Sequence, residues 1–140
     1  MPPVLSHHPI RYSPDDWPWP HFSRFEMACN HCGEEYYWPD FMDRLQAARA
    51  DVGRAFILNS THRCSLHNAR VGGAPLSQHL KIAADISLRT HNPKSLYQAC
   101  RRAGFTGFGF YNSFLHIDLG PPRRWFGGSY ARTLWTPLLG

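Results

Sequence analysis

Apolar and polar residues alternate most cleanly in two short stretches, Ala83–Leu88 and Phe114–Leu119. In the first, Ala84, Ile86 and Leu88 share one face, and Ala83, Asp85 and Ser87 share the other. In the second, Leu115, Ile117 and Leu119 oppose Phe114, His116 and Asp118. Period-two alternation predicts a strand with one buried face, so both stretches are expected in a sheet. Phe105–Tyr111 reads as a third, glycine-interrupted strand, and Ala55–Ser60 as a fourth.

Helical spacing appears between and before these strands. Ser23-Arg24-Phe25-Glu26 is an S-x-x-E capping box, which predicts a short helix from Arg24. Pro39-Asp40 opens a longer helix, with Asp40 as its cap and Phe41, Leu45 and Ala48 on one face. Gly53 stands where a C-terminal glycine belongs. Asn92-Pro93 predicts another start, asparagine as cap and proline at the first position, running through Leu96 and Ala99 to Gly104. Thr61 to about Gln78 is a polar loop containing Gly72-Gly73. Helices first, then strands with one helix between them, predict an α+β fold with a mostly antiparallel sheet and flanking helices. There is no internal repeat. Residues 1–20 form a proline- and aromatic-rich arm without periodicity, leaving 21–140 as the domain. The stretch Tyr12–Phe22 reads as a strap over that domain or an attachment point to a larger assembly.

A chain of 140 residues fits one domain. At 43% hydrophobic and 18% charged it is neither disordered nor a coiled coil. No apolar run approaches the ~20 residues of a membrane span, and the first residues do not read as a secretory signal. The formal charge is +5, and thirteen of the fifteen cations are arginine, a surface suited to polyanions without choosing among them. Arginines among aromatics raise nucleic acid as a partner, but no recognition motif for it is present, and neither nucleic acid nor membrane is expected. Cys29, Cys32, Cys64 and Cys100 do not read as a disulfide framework. Cys29-Asn30-His31-Cys32 lacks a second C-x-x-C, so buried or idle thiols are expected rather than a metal knuckle.

The candidate chemistry lies on the polar faces of the two alternating strands. His79, Asp85, His116 and Asp118 are ligand-type residues, and catalytic zinc takes three such N/O ligands, leaving a position for water. His79, Asp85 and His116 would supply two imidazoles and a carboxylate. The other reading makes the carboxylates turn or edge residues and leaves the histidines solvated.

The run from Ser60-Thr61-His62-Arg63 through Ser77-Gln78-His79, then Ala83-Ala84-Asp85-Ile86, resembles the zinc D-alanyl-D-alanine carboxypeptidase family of peptidoglycan peptidases. So does Phe114-Leu115-His116-Ile117-Asp118-Leu119-Gly120-Pro121 with Arg123 and Trp125. The resemblance is closest to the small phage and prophage branch of that family and covers roughly residues 21–125, all but the arm and the tail. It implies a hedgehog- or D,D-peptidase-like domain with Zn2+ held by His79, Asp85 and His116. Arg63 would grip a substrate carboxylate or stem-peptide carbonyl, and Ser77 and Asn68 would shape the loop. Bacterial peptidoglycan is the implied partner. Without a signal peptide, the chain is expected to be made in the cytoplasm. It would then reach the wall as a released lysin or as part of a phage-like tail beside other proteins of that particle.

Two departures from the family pattern stand out. The family usually has six residues between the first histidine and the aspartate. Here His79 and Asp85 enclose five, with no glycine. One residue of extended chain is ~3.3 Å, far more than a zinc bond tolerates. Several relatives also carry an acid shortly before the last histidine, where Tyr111–Leu115 has none. Asp118 is then the nearest candidate for the catalytic base, or for a group orienting His116, or for a structural carboxylate pairing with Arg123 or capping the turn at Gly120. These departures motivate the rival expectation of a catalytically weakened, wall-binding or structural module.

Overall fold

The computed structural model describes residues 17–28, 39–61 and 83–139. The capping box forms: Ser23 Oγ accepts from the Glu26 amide at 3.1 Å and Glu26 Oε1 from the Ser23 amide at 2.7 Å. It starts the short helix α1, Arg24–Met27. Helix α2 spans Pro39–Val52 and buries Phe41, Met42, Leu45 and Ala48. Asp40 is therefore inside its first turn rather than its cap, and it pairs with Arg44 one turn on, at 3.0 Å. Gly53 ends the helix at φ 74°, a left-handed conformation that glycine reaches without a side-chain clash.

The strands are β1 (Leu58–Ser60), β2 (Ala84–Ser87), β3 (Gly107–Phe110), β4 (Phe114–Asp118) and β5 (Arg123–Phe126). The predicted strand Ala55–Ser60 shortens to three residues, and its pairing with β2 is irregular between Leu58 and Ser60. Helix α3, Pro93–Ala103, is capped by Asn92, whose side chain accepts from the Ser95 amide at 3.1 Å. Gly104 closes it at φ 100°. Helix α4 spans Ser129–Leu139. The strand order is β1-β2-β4-β3-β5, antiparallel except for the parallel β3–β5 pair. This is the expected α+β architecture, with one parallel edge that the sequence reading did not foresee.

Register sorts the side chains into two faces. Ile86, Leu115 and Phe110 lie in one row and Ile117 and Phe108 in the next. They join Phe41, Leu45, Leu96, Tyr97 and Trp135 in the core cluster. The predicted tail thus supplies a central core residue: Trp135 is fully buried, lies tilted against Phe110 with ring centres 4.9 Å apart and donates to the Tyr111 carbonyl at 2.8 Å. At the other end, Trp19 is buried and donates to Asp43 Oδ1 at 2.8 Å, so the described part of the arm packs on α2. The arm before residue 17 lies outside the described residues. Among those described, no helix is long and apolar enough to cross a membrane.

Candidate metal centre

The polar face of the sheet is ordered by the same register. Asp85 of β2 pairs with His116 of β4, His116 with Gly109 of β3, and Gly109 with Trp125 of β5. The adjacent row places Asp118 beside Gly107 and Gly107 beside Arg123. Residues distant in the chain therefore meet because strand pairing fixes their row and alternation fixes their face.

His116 sits between two carboxylates. Its Nδ1 lies 2.8 Å from Asp85 Oδ1, and its Nε2 lies 2.6 Å from Asp118 Oδ2. Burial opposes a charged ring, but the hydrogen bonds to Asp118 and Asp85 outweigh it and raise the His116 pKa. Asp118 is wholly buried. Burial would raise its pKa, yet the hydrogen bonds from His116 and Arg123 prevail and hold it well below the usual carboxylate range. Arg123 supplies a two-pronged contact, Nη1 to Oδ1 at 2.7 Å and Nη2 to Oδ2 at 2.8 Å, and the Gly120 amide donates to Oδ1 at 2.9 Å. Such a fork is the strong form of the guanidinium–carboxylate pair.

The reach of β5 across the sheet depends on β3. Arg123 and Trp125 must cross β3 to touch Asp118 and His116 on β4, and β3 presents glycine at both crossing points. A Cβ on Gly107 would collide with Asp118 Oδ1 and Arg123 Nη1. One on Gly109 would stand 2.5 Å from Trp125 Cζ2 and 2.7 Å from Cε2. Trp125 lies with its ring 5.1 Å from the His116 ring, donates to the Tyr111 hydroxyl at 3.0 Å, and carries the Arg123 guanidinium at 4.9 Å. Tyr111 stacks in turn on Phe114 at 4.3 Å. The result is an aromatic wall beside His116, and the half-exposed Trp125 is its inner member.

Of the residues expected from sequence, the structure brings Asp85, His116 and Asp118 together. His79, Arg63, Ser77 and Asn68, the His79–Asp85 spacing, and Cys29, Cys32 and Cys64 lie outside the described residues. Cys100 is buried, and burial pushes its thiol pKa up, so it is an inert core residue. Among the described residues no three ligand-type side chains are arranged to hold a metal together. Asp118 occupies the ring nitrogen remote from Asp85, and the expected third ligand, His79, lies outside the described residues. That arrangement still suits a metal, because a ligating histidine commonly has its second nitrogen held by a carboxylate. With Nε2 engaged by Asp118, the nitrogen that shares its side of the ring with a second ligand-type group is Nδ1, hydrogen-bonded to Asp85 at 2.8 Å. The sequence reading missed the crossing function of β3 and β5. Its signal was the Gly-x-Gly phase of Gly107 and Gly109, the same phase as His116 and Asp118.

A search of curated proteins gives no match. Residues 20–118 match the family described as peptidase M15, a span that takes in Asp85, His116 and Asp118. The chain belongs to this peptidase M15 family of metallopeptidases.

Proposed function

We propose that the protein is a zinc peptidase that hydrolyses peptide stems or cross-links of bacterial peptidoglycan. The observation that carries this reading is the juxtaposition of His116 Nδ1 and Asp85 Oδ1 at 2.8 Å, with the far side of the histidine clamped. M15 peptidases are in general zinc-dependent, and this is the donor chemistry that zinc takes. Asp85 and His116 would hold the ion, with His79 as the third ligand. When bound, zinc supplies Lewis acidity at the scissile carbonyl and a water acidic enough to attack it at neutral pH.

The protein's own residues do the rest. Asp118 holds the proton on Nε2 and so presents Nδ1 toward Asp85; its hydrogen bonds are those of a positioning residue. A base for the attacking water would have to stand on the Asp85 side of the ring. Arg123 keeps Asp118 ionised, and the Trp125–Tyr111 wall shields one side of the site and offers an apolar surface to substrate. Arg63 is assigned to the substrate carboxylate, where a planar guanidinium makes a two-pronged contact that lysine cannot copy. A phage-derived or tail-associated setting would bring such an enzyme to the wall.

The short His79–Asp85 interval favours a second reading, a weakened peptidase-fold module that binds the wall. Hydrolysis of purified peptidoglycan separates the two. The expected outcome is release of peptide fragments that a chelator abolishes and added zinc restores. Absence of turnover from the zinc-loaded chain, with turnover in a variant carrying a glycine inserted between Lys81 and Ile82, would establish the weakened module instead.

A further inference from the structure

A second cluster of polar groups lies on the opposite face of the sheet from the metal centre. Arg124 pairs in register with Phe108 and therefore faces the helical layer, whereas its neighbours Arg123 and Trp125 face the other way. Between β5 and α3, Arg124, Arg101, Tyr97, Phe105, Thr106 and Phe108 line a cavity of ≈ 500 Å³ that Arg123 and Pro122 border. Tyr97 is buried and held edge-on by Phe108 at 4.9 Å and Phe110 at 5.2 Å. Both exposed arginines gather on it: Arg124 Nη1 lies 3.4 Å from its hydroxyl, and the Arg101 guanidinium stands 5.8 Å from its ring centre.

The neighbouring cations are already engaged. Arg102 is paired with Asp51 at 2.9 Å, and Arg123 with Asp118 at 2.7 Å. Among the described residues, by contrast, no carboxylate pairs with Arg101 or Arg124, and none lines the cavity. A second cavity of ≈ 390 Å³, bounded by Gln98, Arg101 and Arg102, extends the basic surface past Arg101.

We propose that this cleft is a binding exosite for the carboxylates of peptidoglycan stem peptides other than the one being cut. The proposal rests on the peptidoglycan reading above. Two guanidiniums on an aromatic floor match the planar oxyanion of a carboxylate. A polymer that repeats such groups can occupy the exosite and the metal centre at once, so the exosite adds retention on the wall without entering the chemistry. The phosphodiesters of wall-attached polymers offer a related oxyanion, and the test distinguishes them.

The experiment compares the full chain with an Arg101→Gln/Arg124→Gln variant in co-sedimentation with purified sacculi stripped of phosphodiester polymers, alongside cleavage of a soluble stem peptide. The expected result is a loss of sacculus binding of about 100-fold, the lower end of what a second engaged site supplies, with soluble cleavage unchanged. Unaltered binding to stripped sacculi would overturn the proposal. A loss seen only on unstripped sacculi would overturn it in favour of the phosphodiester. An equal loss on both substrates would also overturn it, as a general defect of the variant. If the wild-type chain cleaves no stem peptide yet sediments with stripped sacculi in an arginine-dependent way, the exosite stands and the peptidase reading falls.

Discussion

Gly109→Ala is expected to reduce peptidoglycan hydrolysis by about 10–100-fold, the range seen when groups supporting a metal ligand are disturbed. The added methyl would stand 2.5 Å from Trp125 Cζ2 and 3.0 Å from its Nε1. The indole cannot simply swing away, because the Tyr111 hydroxyl anchors its nitrogen at 3.0 Å and Arg123 lies over its face. Either β5 shifts outward or Trp125 leaves the His116 ring, and overpacking of this kind costs about 1–3 kcal/mol. Thermal melting together with hydrolysis reads both effects. Gly53→Ala is the matched control. It meets open space at φ 74°, so its cost is backbone strain alone and activity should persist. Wild-type melting and turnover in Gly109→Ala would show that the close crossing of β5 over β3 does not support the site.

The second large effect is expected from Asp118→Asn. Asparagine keeps the shape but removes the charge that Arg123 and His116 both contact. Breaking one partner of a buried pair typically costs about 3–5 kcal/mol, and the lower end applies because water reaches Arg123, which is 35% exposed. Zinc affinity should fall by about 10–100-fold as the His116 ring loses its fixed orientation.

The pH dependence of the metal-free protein gives a further signature. Asp118 has a depressed pKa, so its contribution is present above ~3.9 and disappears only as pH falls through the depressed value. His116 has a raised pKa, so its contribution is complete below ~6.5 and fades as pH rises through the raised value. Metal-free wild type should therefore melt highest in mildly acidic solution, and Asp118→Asn should flatten that profile. A variant whose profile and zinc affinity both match wild type would remove Asp118 from the support of His116.

Local signals with a single physical meaning were legible in the sequence. The Ser23–Glu26 capping box and the Asn92-Pro93 start both formed, since each satisfies helix-end amides through side chains a few residues away. The alternation of Ala83–Leu88 and Phe114–Leu119 placed Asp85 on the polar face of one strand and His116 and Asp118 on the polar face of another, and register then joined the two faces. Strand β5 was not legible, because Arg-Arg-Trp-Phe has no alternation of apolar and polar residues. Its side chains are sorted instead by what lies beneath them: glycine under Arg123 and Trp125, and the α3 cleft beside Arg124. Helix α4 was obscured by Pro137, which falls near its end, although Ala131 and Trp135 are one helical turn apart and both buried. Asp40 was read as the cap, but the helix begins at Pro39, so Asp40 stands two positions inside the cap, where an acid also suits the first turn. For β5, long-range pairing with β3 rather than local preference decided the outcome.

The central claim is that His116 and Asp85 are ligands of a catalytic metal, and metal content tests it most directly. Wild type and His116→Ala, purified identically and shown by cooperative melting to be folded, would be compared for zinc content and for release of fragments from purified peptidoglycan. The account predicts one zinc per wild-type chain with hydrolysis, and loss of both in His116→Ala. Stoichiometric zinc retained by folded His116→Ala would contradict it.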